Sequence, residues 1–488
     1  MGAPVRSRGP AVAARTLHEQ SRPGRRAWTM PELDVPGVDV PEAHRRTSAP
    51  GLPEVAETDL VRHVTRLSQM NYGVDTGFYP LGSCSMKYNP KVAEAVAAFP
   101  GFQRLHPHQP EETVQGALEL LWRLERALCE ITGMARATFQ PPAGASGELT
   151  GLLIMRAYHT KNGDPRSKIV IPDSAHGTNP ASVTLSGYKA VQVPSDPRGL
   201  VDVAKLKELV DQDTAGLMLT NPNTLGLFEE KIQEIAAAMH KVGALLYYDG
   251  ANLNAIMGRV RPGDMGFDIV HMNTHKTFAT PHGGGGPGAG PVAVNARLER
   301  FLPAPVVGHD EENGRYFWDH DRPDSIGRVH GFHGNFGVLV RAFAYVFGHG
   351  RDGLREVGER AVLNANYLAC LVREAYPLAF SGRPMHEFVA TARRYRKHGV
   401  RAMDVAKRLI DFGFHPSTVY FPLIVEEAMM VEPTETESKD TLDAFAEAML
   451  QVSKEAVEDA HLLHEAPVTT PVRRLDEAKA ARDLKLRW

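Results

Sequence analysis

The stretch Asp268-Ile-Val-His-Met-Asn-Thr-His-Lys276-Thr-Phe278 runs by way of Ala279-Thr-Pro281 into His282-Gly-Gly-Gly-Gly-Pro-Gly-Ala-Gly290, and its reading decides the fold. Ile269 to Met272 is apolar with no helical period, which predicts a buried strand ending in a loop that presents one lysine. The glycines that follow let backbone pass close to something bulky. Upstream, Leu245-Leu-Tyr-Tyr-Asp249-Gly-Ala251-Asn252 reads as a second strand ending in a carboxylate. An amine and an acid would then meet at one edge of a parallel sheet. A pyridoxal phosphate site needs that pairing, a lysine for the Schiff base and a carboxylate for the pyridinium nitrogen.

Outward from this pair, strands are predicted at 168–172, 191–193, 216–220, 244–248, 269–272 and 291–294, with helices at 203–210 and 231–242. Such alternation implies right-handed βαβ units and an α/β fold whose mostly parallel sheet is covered on both faces. Ligands in these sheets sit beyond the carboxyl ends of the strands. Polar clusters fall there: Asp173-Ser-Ala-His176-Gly-Thr-Asn-Pro180, Asn221-Pro-Asn-Thr224-Leu-Gly226, Asp249 to Asn252, and His275-Lys276. Ala251, two residues beyond Asp249 along an extended segment, would turn its methyl to the same side, against one face of a ring. His176 would stack on the other face. Gln140-Pro-Pro-Ala-Gly144-Ala145-Ser146-Gly147-Glu148 opens an apolar helix at 149–158, and free N–H groups at such a start suit a phosphate.

The chain divides into an N-terminal arm with a site-lining loop (1–100), a cofactor-binding large domain (101–335), and linking helices with a smaller α+β domain (336–488). The arm is proline-rich and charged with little apolar period up to about residue 60. A helix follows at 60–70, then the irregular stretch Asp75 to Pro90, a loop of the kind that commonly carries function. Helical spacing of Leu118, Leu121, Trp122, Leu124, Leu128 and Ile131 predicts a helix over 113–132, stopped by Gly133. Residues 296–335 read as irregular, with helices at 335–348 and 353–375. In the last part a strand at 418–425 lies between helices at 402–412 and 439–459.

Composition narrows the class. Lys and Arg number 55 against 58 Asp and Glu in 488 residues, and the pI is near 6.7. No strong field recommends nucleic acid or an anionic membrane surface as partner, and a small-molecule enzyme suits the balance. Cys84, Cys129 and Cys370 form neither a disulfide framework nor a zinc ribbon, so a reducing compartment, the cytoplasm, is the default. No run is long and apolar enough to span a bilayer. Arg6, Arg8 and Arg15 faintly suggest a transit peptide, but Glu19 and the lack of an amphipathic run favour a disordered extension; Arg6 also spoils a myristoylation signal. His271 and His275 are four apart, but on a strand and its exit rather than a helix face, and no His-Glu-x-x-His exists, so no metal is expected. The glycine run lacks the Lys-Ser/Thr ending of a P-loop, and no Gly-x-Ser-x-Gly elbow occurs.

Taken together the residues resemble the P-protein of the glycine cleavage system, the pyridoxal-phosphate glycine decarboxylase. The segments that carry the resemblance are Tyr79-Pro-Leu-Gly-Ser-Cys-Ser-Met-Lys-Tyr-Asn-Pro90, Pro172 to Pro180, Leu219-Thr-Asn-Pro-Asn-Thr-Leu-Gly-Leu-Phe228, Tyr248 to Ala255, His275-Lys-Thr277 with the glycine run, and Met430-Val-Glu-Pro-Thr-Glu-Thr-Glu437. They span about 58 to 480. Ser85 stands where the family pattern has threonine, and the hydroxyl is retained. The length resembles the cofactor-carrying second subunit of the split bacterial form.

The resemblance implies an aspartate-aminotransferase-like fold, pyridoxal 5'-phosphate as cofactor and a heterotetramer of two copies of each subunit. It implies that glycine loses its carboxylate as carbon dioxide while electrons flow into the ring, the aminomethyl group passing to the lipoyl disulfide of the H-protein. Lys276 and His176 would be catalytic. Lys276, Asp249, Ala251, His176, Gly144, Ala145, Ser146, Asn221 and Thr224 would bind the cofactor, and the loop at 79–90 and the segment near Glu432 would wall a channel for the lipoyl arm. Cys84 reads as a buried thiol in preference to a redox group. The alternatives are another decarboxylase or aldolase of the same cofactor fold, and a non-catalytic scaffold subunit that keeps the fold without the chemistry.

Overall fold

A computed structural model describes residues 15–106, 109–282 and 288–484. Seven strands build the main sheet: β1 (Arg136–Thr138), β2 (Lys168–Pro172), β3 (Lys189–Val193), β4 (Thr214–Thr220), β5 (Leu245–Gly250), β6 (Ile269–Met272) and β7 (Val292–Val294). Their order is β1-β7-β6-β5-β4-β2-β3. From β3 to β6 all neighbours are parallel, while β7 runs antiparallel to both β6 and β1. The parallel strands are apolar on both faces because helices cover both: Leu217, Leu246, Tyr248 and Val270 point into one core cluster, Met218, Leu245, Tyr247 and Ile269 into another. β1 was missed by sequence reasoning because three residues hold too little period, and β7 gives no sign of its direction.

Helices Thr178–Leu185, Val203–Leu209 and Ile232–Lys241 make the crossovers that keep β2 to β5 parallel. Residues 296–335, read as irregular, contain the hairpin β8 (Val306–Asp310) and β9 (Arg315–Asp319). Helix Phe336–Val372 is broken at Gly350 (φ 62°, ψ −174°), between the two predicted helices. Its first half packs Val338, Leu339 and Val346 into the main core; its second half gives Ala365, Leu368 and Val372 to a separate core with Phe388, Leu409, Phe445 and Met449. That core lies on a sheet of β10 (Phe388–Thr391), β12 (Ala428–Val431) and β11 (Thr418–Val419), all antiparallel. The strand expected at 418–425 therefore ends at Val419. Phe421-Pro422 interrupts it, and pairing resumes only at Ala428.

The two cores are keyed together at Gly226. This residue turns with φ 77° after β4, and a Cβ placed there would lie 1.9 Å from Glu387 O. Met385 N donates to Gly226 O at 2.7 Å. The N-terminal loop also crosses over, since Phe78 packs edge-on against Phe445 at 5.0 Å and Gly82 N donates to Met430 O at 3.3 Å. The expected arm at 1–60 falls partly outside the described residues, as do Arg6 and Arg8. From Arg15 to Ala56 the arm carries only short turns, and Trp28, Met30, Leu33 and Val38 are exposed. Among the described residues, no helix is long and apolar enough to cross a membrane.

Glu229 illustrates what the packing costs. Its Oε2 accepts Val201 N at 2.9 Å, but Oε1 is buried without a partner, and burial pushes the carboxyl up to about 7 against the pull of that N–H. An acid whose folded value is raised destabilises the fold as pH climbs past the ordinary carboxylate range, and the loss levels off above about 7. Glu229→Gln is expected to remove this slope and to stabilise the protein at pH 8 by up to about 3 kcal/mol, with little effect at pH 4. Melting curves of both proteins at the two pH values check it.

Candidate functional site

The carboxyl ends of β4, β5 and β6 face one edge of the sheet, and the register Asp249↔His271 sets the acid of β5 beside a histidine of β6. Lys276 lies just past β6. The expected loop is instead one turn of helix, Thr274–Thr277, in which Lys276 N and Thr277 N both donate to Asn273 O, at 3.0 and 3.1 Å. Lys276 is half-buried, and its charge acts on Asp249, His176, Cys84, Glu387, His275 and His282. The amine is therefore near enough to the polar residues that the strand ends gather for its charge to act on them.

Asp249 is buried and fully partnered. Its Oδ2 accepts Asn179 Nδ2 at 2.9 Å, its Oδ1 accepts Ala251 N at 3.0 Å, and His271 Nε2 stands 3.3 Å from Oδ1. Burial alone would raise the carboxyl, but His271, Asn179, Lys276 and the Ala251 N–H together hold it below the usual carboxylate range. Asn179 also donates to Glu148 Oε2 at 3.2 Å, and Glu148 accepts Thr178 Oγ1 and Ser182 Oγ as well, at 2.9 and 3.1 Å. Burial and the neighbouring Asp249 push Glu148 upward, so the pair is an anion beside an acid inclined to stay neutral. Tyr247 Oη closes the network 3.1 Å from His271 Nδ1.

His176 follows β2, close to Lys276 and Asp249 in charge terms. Its Nδ1 stands 3.0 Å from Thr178 Oγ1 and 3.3 Å from Thr178 N, which fixes the ring. Burial, then the Lys276 charge, lowers its pKa, and the Phe421 ring stands 5.6 Å away. Ala251 begins a turn rather than continuing an extended segment, since β5 ends at Gly250. His275 and His282 lie edge to face at 4.8 Å, and burial, then the charges of His282 and Lys276, lowers the half-buried His275 to about 3. The expectation that glycines let backbone pass a bulky group falls largely on Gly283 to Pro287, outside the described residues. Gly290 is described, and a Cβ there would meet Ala143 O at 2.1 Å, so β7 is entered directly against the start of a helix.

That helix, Gly144–Lys161, begins five residues earlier than its apolar pattern suggests and takes in Gly144, Ala145 and Ser146 as its first turn. The opening N–H groups of a helix have no intrahelical acceptor. A Cβ on Gly144 would fall 1.8 Å from Asn273 Oδ1, so this helix start abuts the residue just before the Lys276 turn. Thr277 Oγ1, in the same turn, is buried without a partner. Asn221 and Thr224 are placed differently: Asn221 Oδ1 accepts Glu229 N at 2.9 Å and Thr224 Oγ1 donates to Ser174 O. Both side chains are committed to holding loops.

A wall on the other side comes from the 79–90 loop. Ser83 and Ser85 have left-handed φ of 65° and 45°. Ser83 N donates to Glu387 Oε2 at 2.7 Å and Ser85 N to Glu432 Oε2 at 2.9 Å, while the Ser85 hydroxyl reaches Glu432 Oε1. Burial and Glu432 drive the Glu387 carboxyl well up. Cys84 is carried between the serines, its thiol pushed up to about 11 by burial despite the Lys276 charge, which disfavours a thiolate. Asn179, Glu148 and Glu387 were not singled out by sequence reasoning, whereas the segment near Glu432 was expected as a wall. His271 was weighed only as a metal ligand; strand register is what reveals its place.

The chain matches known proteins along nearly its whole length. The family model described as "Glycine cleavage system P-protein" matches residues 33–317, and one described as "Glycine dehydrogenase, C-terminal domain" matches 357–469. A protein of Caldanaerobacter subterraneus subsp. tengcongensis named "Probable glycine dehydrogenase (decarboxylating) subunit 2" is 58% identical over 477 residues, covering 97% of this chain and 98% of the relative. One of the same name from Bacillus licheniformis is also 58% identical, over the same shares. Among solved structures, glycine decarboxylase (P-protein) of the glycine cleavage system in inhibitor-bound form aligns with TM-score 0.70 at 24% identity, covering 85% of this chain and 93% of that one. Lactobacillus brevis glutamate decarboxylase aligns with TM-score 0.65 at 15% identity over 86% and 97%. The α/β fold is the aspartate-aminotransferase-like one that the resemblance implies, and the chain belongs to the glycine cleavage system P-protein family.

Proposed function

We propose that this chain is the cofactor-carrying subunit of a split glycine decarboxylase, which releases carbon dioxide from glycine and passes the aminomethyl group to the lipoyl arm of an H-protein. The observation that carries the reading is Lys276 and a fully partnered, anionic Asp249 at the ends of adjacent parallel strands. Pyridoxal 5'-phosphate fits the residues near them: an orphaned Thr277 hydroxyl and a helix start with free N–H groups favour a phosphate, and Asp249 favours a ring cation. When bound, that group supplies the electron sink for breaking the bond to the carboxylate.

The protein's own residues then take distinct tasks. Lys276 would hold the cofactor through its amine and would carry a proton. Asp249, ionised, would keep a ring nitrogen charged, and Ala251 and His176 would help hold the ring. The N–H groups of Gly144, Ala145 and Ser146 would hold the phosphate. Asn221 and Thr224 act through the loops they fix. The walls at 79–90 and Glu432 exclude water and admit a narrow arm. The division into 1–100, 101–335 and 336–488, two copies each of this chain and a subunit 1, and a cytoplasmic setting belong to the same reading.

The test is exchange of labelled bicarbonate into glycine by this chain with its partner subunit and a lipoylated carrier protein. Exchange dependent on all three is expected. Exchange absent despite a glycine-dependent change in the bound cofactor's spectrum would leave a different amino-acid decarboxylase or aldolase. A protein that binds no cofactor would be a scaffold.

A further inference from the structure

Lys87 is among the largest fully buried side chains in the molecule, and the proposed chemistry gives it no task. Its ammonium meets three segments that are remote in sequence: Nζ donates to Asn254 Oδ1 at 2.7 Å, to Thr277 O at 3.2 Å and to Glu435 Oε1 at 2.7 Å. Asn254 follows the Asp249 strand, Thr277 follows Lys276, and Glu435 belongs to the segment after β12. The Tyr345 ring lies 5.6 Å from the same nitrogen. Two residues along, Asn89 Nδ2 donates to Ala279 O at 2.8 Å. Ala279 adopts a left-handed φ of 50°, a strained conformation that persists only where neighbours impose it.

One turn of helix is a poor platform for a reactive group. It spends nucleation entropy for few hydrogen bonds, and its last carbonyls point out unpaired. Here the start of the turn is fixed by Asn273 against Gly144, and its end is fixed by a cation on Thr277 O and an amide on Ala279 O. Taking a lysine out of water costs several kcal/mol unless it is well paired, so the burial makes sense where geometry is gained.

We propose that Lys87 and Asn89 form a two-point brace that sets the backbone position of Lys276, which makes Lys87 a positioning residue for the reaction. The proposal rests on the reading of Lys276 as the lysine that holds the cofactor. A displacement of about 1 Å at a reacting group costs on the order of 10²-fold in rate, and the brace prevents one.

The experiment compares holoenzyme of wild type, Lys87→Met and Asn89→Ala, the second variant leaving the Lys87–Glu435 pair intact. Each is reduced with borohydride and its adduct mapped by mass spectrometry, titrated by the absorbance of the bound cofactor against pH, and assayed for kcat and KM. Expected are an adduct on Lys276 in all three, and kcat lower by about 10–100-fold in Lys87→Met and about 3–10-fold in Asn89→Ala, with KM for glycine within about threefold. The titration midpoint should move by about half a pH unit or more. If Lys87→Met does not fold, Asn89→Ala decides. An unmoved midpoint and unchanged kcat per bound cofactor, with only a lower melting temperature, would overturn the brace and leave a structural staple. A wild-type adduct on another residue would overturn the reading of Lys276 instead.

Discussion

Lys276→Ala is expected to lower turnover of glycine by at least about 10³-fold, because one side chain serves both as the covalent anchor and as a proton carrier, and proton transfer alone is worth about 10²–10⁴. Lys276→Arg is expected to fall as far, since a guanidinium neither deprotonates nor reaches with a single nucleophilic nitrogen. Its neighbour in sequence cannot substitute. His275 is lowered to about 3 by burial and nearby charge, so it is neutral at pH 7 and has no proton to give. Borohydride reduction followed by peptide mapping gives the check: the adduct on the Lys276 peptide disappears in the alanine variant. An adduct that survives there would sink the assignment of this lysine.

Asp249→Asn is expected to cost about 10²-fold or more in kcat while leaving the fold intact, because the amide keeps the shape but loses the charge facing the ring nitrogen. Since His271, Asn179, Lys276 and the Ala251 N–H outweigh burial and depress the carboxyl, the group is fully ionised at neutral pH. Its stabilising contribution is present above the ordinary aspartate value of about 3.9 and fades as pH falls through the lower folded value. The variant should therefore lie below wild type in stability at neutral pH, converge with it as pH falls below about 4, and show a flatter acid limb. Melting temperatures across that range and kcat at pH 8 are the measurements. A kcat within about threefold of wild type would remove Asp249 from the mechanism.

Much of the scaffold was legible because parallel strands buried on both faces are continuous apolar runs; Ile269–Met272 agrees with its prediction to the residue. The lysine and the acid were legible for the same reason, each being the first charged group after such a run. Asn179, Glu148 and the place of His271 beside Asp249 were not, because they depend on which strands are neighbours and in what register. Tertiary context also overrode local pattern at Gly144, where a small polar turn became the first turn of the helix, and at β12, whose short Ala-Met-Met-Val carries no alternation. The loop-holding bonds of Asn221 and Thr224 were invisible for a related reason: polar residues at a strand end look alike whether they face a ligand or a neighbouring loop.

The contact at Gly226 has a mechanical meaning. Main chain meets main chain there with no side chain between them to act as a cushion, and Glu387, the residue whose carbonyl is touched, also holds Ser83 of the cysteine-bearing loop through its carboxylate. A push on the turn after β4 is therefore delivered undamped to the opposite wall of the cleft. At that point the two halves of the molecule meet backbone to backbone, so neither can move toward the other without displacing main chain.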